Sequence, residues 1–357
     1  MAFVAITSEK LYWIRKRLLN YKLFRIFAPV NELAKQVFSI KNKDEFEKTA
    51  LKVFQHQATH CTVYRDYLSN LKVKPAELQS LDEVPYLPIS FFKTHEVLAD
   101  HSTKAQIIFS SSGTTGMSQS KHLVTDVSIY EQSFRQAFEL FYGPTADTCI
   151  LALLPSYLER DGSSLIYMID ALIKDSTHPD SGYFLHNHDD LKDKLQKQQQ
   201  AGQKTVLIGV TYALLDFLEK HQLHFPKLIV METGGMKGKR KEMVREELHE
   251  ILTSGFGVSA IHSEYGMTEL LSQGYSNGEG IFNSPPWMKI NLRDTNDPLS
   301  PAGTNKTGGI NVIDLANINS CSFIATQDLG RVYADGSFEV LGRFDNSDIR
   351  GCNLLIG

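Results

Sequence analysis

Ile107-Ile108-Phe109-Ser110-Ser111-Ser112-Gly113-Thr114-Thr115-Gly116 passes without a break from an apolar run into a loop of serine, threonine and glycine. The apolar residues read as a buried strand, Gln106–Phe109. The two glycines permit tight turns in which hydroxyls and exposed backbone N–H groups can wrap an anion. Lys121, five residues past the loop, can add positive charge at the phosphates. No GxxxxGK followed by Ser or Thr occurs here, so this is not a Walker A loop. Taken alone, the loop has the composition of any flexible turn.

Outward from this stretch, short apolar runs alternate with helical ones. Thr148–Leu154, Thr205–Val210 and Leu228–Met231 read as buried strands, and 127–141, 163–173, 211–221 and 237–253 as the intervening helices. That alternation predicts an α/β sheet with helices packed on its faces. Upstream, the first hundred residues read as mostly helical. Leu11, Ile14, Leu18 and Tyr21 share one face with basic residues between them, which suits a packed helix with a solvated side or a membrane-surface helix. After Pro285 the texture turns Gly-, Asn- and Asp-rich with short strands at Gly309–Asp314 and Ser337–Leu341, predicting a small β subdomain. The expected division is a helical part over 1–104, an α/β core over 105–284, the β subdomain over 285–345 and a C-terminal arm over 346–357.

Composition bounds the function. The chain has 357 residues, 42% of them hydrophobic, enough for a sizeable core, and a net charge of −4. Such a balance carries no basic footprint for nucleic acid. Cysteines 61, 149, 321 and 352 form no CxxC pair, so neither a disulfide framework nor a structural zinc site is expected. With no membrane span or secretory leader legible, a cytoplasmic location is expected.

Further motifs follow the loop in order: Glu232-Thr233-Gly234-Gly235, Glu264-Tyr265-Gly266-Met267-Thr268-Glu269, Thr326-Gln327-Asp328-Leu329-Gly330-Arg331 and Gly342-Arg343-Phe344-Asp345. Together they resemble the adenylate-forming superfamily of acyl-CoA synthetases, luciferases and adenylation domains, from about residue 105 to the C-terminus. Ile349-Arg350-Gly351-Cys352-Asn353 is similar to the hinge of phenylacetate-CoA ligases. Pro85-Tyr86-Leu87-Pro88-Ile89-Ser90-Phe91-Phe92-Lys93, with Leu154-Pro155-Ser156-Tyr157-Leu158 and Gly162-Ser163-Ser164-Leu165, resembles one narrower group. That group is the acyl-protein synthetases, fatty-acid-activating subunits of bacterial bioluminescence reductase complexes.

The resemblance implies the adenylate-forming large-domain fold without the usual C-terminal lid. It also implies activation of a carboxylic, fatty acid by ATP and Mg²⁺ as an acyl-adenylate, followed by transfer to a protein thiol. By position, Ser111, Ser112, Gly113, Thr114, Thr115 and Gly116 would cradle the phosphates. Thr268 would contact the α-phosphate and Glu269 would hold Mg²⁺. Gly234 and Gly235 would let the backbone approach adenine, with Tyr265 and Gly266 beside it. Asp328 would accept from the ribose hydroxyls, and Arg343 would approach ribose or phosphate. Two departures stand out. Met117-Ser118-Gln119-Ser120 replaces the usual Pro-Lys after the glycine, so Lys121 need not be the equivalent cation. The lid lysine used in adenylation has no counterpart before Gly357, so either adenylation proceeds without it or a partner subunit closes the site.

Cys352 matches the acyl-accepting cysteine that acyl-protein synthetases carry near the C-terminus. A glycine before it allows the arm to swing, and Arg350 favours the thiolate. A small buried residue in a terminal strand is the bland alternative. Cys61, Cys149 and Cys321 read as structural. A partner subunit, an acyl donor or a reductase, is expected.

Parts of the sequence also suit other classes. An acyl-CoA ligase of the phenylacetate type would use the same motifs. A non-catalytic or acyltransferase subunit of a fatty-acid-modifying complex would have no need of Thr268, Glu269 and Asp328 together. Gly274-Tyr275-Ser276-Asn277-Gly278 matches GxSxG of serine hydrolases but lacks the flanking strand and helix. His186, His188, Asp189 and Asp190 could bind metal, although a polar loop explains them. Leu165, Met168, Ile169, Leu172 and Ile173 share a helical face that suits either an acyl pocket or a core-facing helix.

Overall fold

The computed structural model describes residues 32–99, 103–111, 119–154, 162–234, 240, 243–302 and 306–344. The amphipathic stretch from Leu11 to Tyr21 and the C-terminal arm lie outside them.

In chain order the strands are β1 (Leu87–Pro88), β2 (Ile107–Ser110), β3 (Lys121–Val124), β4 (Cys149–Leu153), β5 (Gly182–Phe184), β6 (Thr205–Val210) and β7 (Ile229–Thr233). They continue with β8 (His262–Tyr265), β9 (Gly274–Ser276), β10 (Ile281–Asn283), β11 (Met288–Arg293), β12 (Gly308–Asp314), β13 (Phe323–Val332) and β14 (Phe338–Arg343). One sheet runs β11-β12-β13-β14-β10-β9-β8-β7-β6-β4-β5, with β1 beside β13. β5, β4, β6, β7 and β8 are parallel. β9 reverses the direction, and β10 to β14 continue antiparallel.

The parallel strands have helices on both faces, which is why they read as unbroken apolar runs. β4 and β6 are buried along their whole length. Ile150, Val206, Ile208 and Met231 project to one face. There Phe138 of the helix Val127–Tyr142 and Met168, Ile169 and Leu172 of the helix Ser164–Ser176 enclose a small apolar void with them. The shared face of that second helix is therefore turned toward the sheet.

Two expectations need correction. The strand after residue 106 is not part of the large sheet. Among the described residues β2 pairs with β3 alone as a two-stranded ribbon, and Ile108 is 48% exposed. The helix His188–Ala201 has no strong apolar signal, since only Leu191, Leu195 and Gln198 are buried; His188, Asp189 and Asp190 form its first turn rather than a loop. Ser276 lies inside β9, buried, with its hydroxyl donated to the Gly278 carbonyl at 2.8 Å.

The upstream helix Lys43–His60 starts at Asn42, whose side chain accepts from the Glu45 N–H. Its buried Gln57 donates to the carbonyls of Asn317 and Ile318 at 2.9 and 3.1 Å and accepts from the Ser322 N–H at 2.9 Å. One amide thus fixes the turn that supports the site. Among the described residues no helix is long and apolar enough to cross a membrane.

Candidate active site

The Ser/Thr/Gly loop is the stretch of chain that joins β2 to β3. Its neck is closed by two hydrogen bonds: the Ser111 N–H donates to the Ser120 carbonyl at 3.1 Å, and the Ser120 N–H donates to Ser111 Oγ at 2.9 Å. Ser111 is thus built into the neck. Ser112, Gly113, Thr114, Thr115 and Gly116 lie outside the described residues, as do Gly235 and Cys352.

Side chains alternate along a strand, so Lys121 faces outward, exposed, while Ser120 and His122 face in, each 1% exposed. The Ser120 hydroxyl lies beside the carboxylate of Glu269, near enough to lower its pKa. The His122 Nδ1 lies 3.0 Å from the Thr268 carbonyl and its Nε2 3.0 Å from Ser320 Oγ. A carbonyl only accepts, so Nδ1 carries the proton and Nε2 accepts from the serine. Burial keeps this imidazole neutral, with its pKa lowered to about 4.

The segment after Thr268 is held just as closely. Asn317 Nδ2 donates to the Glu269 carbonyl at 2.8 Å. The N–H groups of Leu271 and Ser272 donate to Asp314 Oδ2 at 2.8 and 2.9 Å. Glu269 is 7% exposed. Burial raises its pKa, and the Ser120 hydroxyl, with the positive fields of Arg343 and Lys93, pulls it back down. A buried carboxylate whose charge is shaped by burial and by neighbouring cations is a candidate functional group.

A second group assembles around Asp328. Tyr265 donates to Asp328 Oδ2 at 2.9 Å, and Arg343 Nε lies 3.2 Å from Oδ1. Asp328 and Arg343 are direct partners in the β13–β14 ladder. Buried Arg293 donates to the Ile310 carbonyl and to Asn311 Oδ1, both at 2.8 Å, and adds its positive field to Asp328. Tyr265 packs edge-on against Phe338 and Phe282.

Gly234 adopts φ +64, a left-handed conformation that glycine takes without penalty. At Gly266 a Cβ would lie 2.3 Å from Glu264 Oε1, so the glycine leaves room for that carboxyl. Glu264 accepts from Thr233 at 2.7 Å, and burial raises its pKa to about 7.

The structure therefore groups Ser111, Thr268 and Glu269 around β3, and Tyr265, Asp328 and Arg343 at the β8–β13 meeting point. His122, Asp314, Asn317 and Arg293 escape sequence reasoning. Each is a lone polar residue whose partners are remote in sequence, and only Asp314, closing an apolar strand, stands out at all. Cys61, Cys149 and Cys321 are buried. Burial pushes the Cys61 and Cys149 thiols up to about 11, and Cys321 well above its ordinary value, so none of the three is a thiolate at neutral pH.

The fold is that of the adenylate-forming enzymes. The chain superposes on 2-hydroxyisobutyryl-CoA ligase in its postadenylation state with a TM-score of 0.63 and 12% identity, over 90% of this chain and 73% of that one. It also matches ATP-bound MatB from Rhodopseudomonas palustris, with a TM-score of 0.51 and 18% identity, over 69% of this chain; the match spans about half (48%) of MatB. Residues 34–357 match the family described as acyl-protein synthetase, LuxE, and the chain belongs to that family. Among curated relatives, the long-chain-fatty-acid–luciferin-component ligase of Aliivibrio fischeri is 21% identical over 346 residues, 89% of this chain and 90% of that protein. The protein of the same name from Photorhabdus luminescens is 34% identical over 71 residues, 20% of this chain and 60% of that protein.

Proposed function

We propose that this chain activates a fatty acid with ATP and Mg²⁺ and passes the acyl group to a protein thiol, Cys352. In the first step a carboxylate oxygen of the acid bonds to the α-phosphorus, the bond from that phosphorus to the bridging oxygen breaks, and pyrophosphate leaves. In the second, the Cys352 sulfur bonds to the acyl carbon, the bond to the AMP oxygen breaks, and AMP leaves; the thiol proton passes to solvent. The acyl group then goes on to a partner subunit.

The observation that carries this reading is the contact of His122 with the Thr268 carbonyl at 3.0 Å, which sets the strand returning from the phosphate loop against the segment that bears the buried Glu269 carboxylate. Glu269 fits the metal's needs. Mg²⁺ at phosphates is usually held by one or two carboxylates plus phosphate oxygens, and among the described residues no group of three His, Cys, Asp or Glu forms an all-protein cage. The bound cation supplies neutralisation of charge on the phosphates. Ser111 to Gly116 and Thr268 hold those phosphates, with Lys121 at the edge of the loop. Asp328 accepts from the ribose, flanked by Tyr265 and Arg343, while the backbone at Gly234, Gly235 and Gly266 approaches the base. Cys352 is favoured because the other three thiols are buried and protonated.

Exchange of labelled pyrophosphate into ATP, run against fatty acids of graded length, tests the reading. Acid-dependent exchange is expected. Hydrolysis of ATP to ADP, or exchange indifferent to the acid, would overturn it.

A further inference from the structure

We infer that His122 is a positioning residue for adenylation, holding Thr268 at the distance from the phosphate loop that the reaction requires; this rests on the activity proposed above. Ser120, just before β3, and His122, on it, are two residues apart, and both are buried on the same side of the ribbon. They face consecutive residues of one segment: His122 bonds the Thr268 carbonyl at 3.0 Å, and Ser120 lies beside the carboxylate of Glu269. The strand that returns from the phosphate loop is therefore tied through His122 to the segment bearing the α-phosphate and metal groups. A shift of the ribbon along that segment would break that contact.

The imidazole is itself held from three sides. Ser320 occupies Nε2 at 3.0 Å, leaving Nδ1–H for Thr268. Phe92 meets the ring edge-on at 5.4 Å between centroids. Ser320 belongs to the turn that Gln57 fixes, its N–H donating to the Asn317 carbonyl at 2.8 Å. The chain of contacts runs from the upstream helix through Ser320 and His122 to Thr268, and at no point does His122 need to touch substrate. Small misplacements of reacting groups cost about 10²-fold in rate, so a residue that only places Thr268 can have an effect of that order.

The test compares His122→Phe, His122→Asn and Ser320→Ala in pyrophosphate exchange at varied ATP and acid, up to saturation. Phe keeps the ring contact and removes both hydrogen bonds. Asn restores a donor near the Nδ1 position. His122→Phe should lower kcat by roughly 10- to 100-fold with little change in either KM, His122→Asn should recover most of it, and Ser320→Ala should show a smaller loss of the same kind. In a Thr268→Ala background the His122→Phe loss should largely vanish, because two residues acting through one contact are not additive. A merely structural histidine would lower the melting temperature without this pattern.

If His122→Phe does not fold, His122→Asn and Ser320→Ala decide by the same kcat and cycle measurements. An undiminished kcat in the variants that fold, or equal losses with and without the Thr268 hydroxyl, would overturn this inference alone. Absence of acid-dependent exchange in the wild type would overturn the proposed activity, and this inference with it.

Discussion

Tyr265 on β8 donates to Asp328 on β13 at 2.9 Å, although three strands separate them in the sheet. Strands lie about 4.8 Å apart, so a flat sheet would hold the two roughly 19 Å from each other. The sheet must curl back on itself between β8 and β13, and Phe282 and Phe338 fill the inside of that curl against the Tyr265 ring. The contact brings together two motifs that belong to different stretches of the chain, and the predictions begin there.

Tyr265→Phe removes the hydroxyl while keeping the aromatic packing. It leaves Asp328 buried with Arg343 as its remaining close side-chain partner. We expect the KM for ATP to rise about 5- to 10-fold, with about 1 kcal/mol lost in stability, as for a hydrogen bond to a charged group in a partly buried site. Steady-state exchange at varied ATP checks it. An unchanged KM would separate Asp328 from nucleotide binding.

Glu269→Gln keeps an acceptor for the Ser120 hydroxyl, so the fold should survive. Losing the carboxylate's charge should lower acid-dependent exchange by ~10²-fold or more, the scale of a lost electrostatic group in a preorganised site. Near-wild-type exchange at saturating Mg²⁺ would remove Glu269 from the metal site.

Glu264 makes stability depend on pH. Its pKa rises from 4.5 to about 7 on folding, chiefly through burial. The folded chain keeps a proton that the unfolded chain has lost, so this group's contribution falls as pH rises from about 4.5 to about 7 and is level above that. His122 and His249, both lowered to about 4, tilt the curve the other way up to their ordinary value of 6.5. The readout is therefore the difference between wild type and Glu264→Gln in urea melts. The variant should gain on the order of 2 kcal/mol relative to wild type across that range. A constant difference would show that Glu264 titrates normally.

Met168 is 1% exposed, facing the sheet beside Ile208 and Met231. Met168→Ala should cost ~2–4 kcal/mol, as large-to-small core changes do, without moving the preference for acid chain length. A shift toward longer acids, with stability retained, would mark this helix face as the acyl pocket instead.

Cys352→Ser should leave pyrophosphate exchange intact while abolishing stable acyl-protein. A thiolate is a far better nucleophile than a serine hydroxyl at neutral pH. With labelled acid and ATP, the wild type should carry hydroxylamine-sensitive label and the variant none. Equal labelling of both would direct attention to Cys61, Cys149 or Cys321.

Local pattern alone determined a good part of this protein. The apolar runs of β4, β6 and β7 are legible because strands covered on both faces admit little but hydrophobic side chains. The motif series is legible because glycine, hydroxyl and carboxylate groups must occur in a set order along the chain. The helix His188–Ala201 escaped because only three of its residues are buried, and β2 was misjudged because burial depends on neighbours that a run of isoleucines does not specify. Which motifs meet was decided by tertiary structure alone. Asp328 reaches Tyr265 only because the sheet curls, and Thr268 is held by His122, 146 residues away. A hydrogen bond of that span is set by strand order and twist, and those emerge only when the whole core packs.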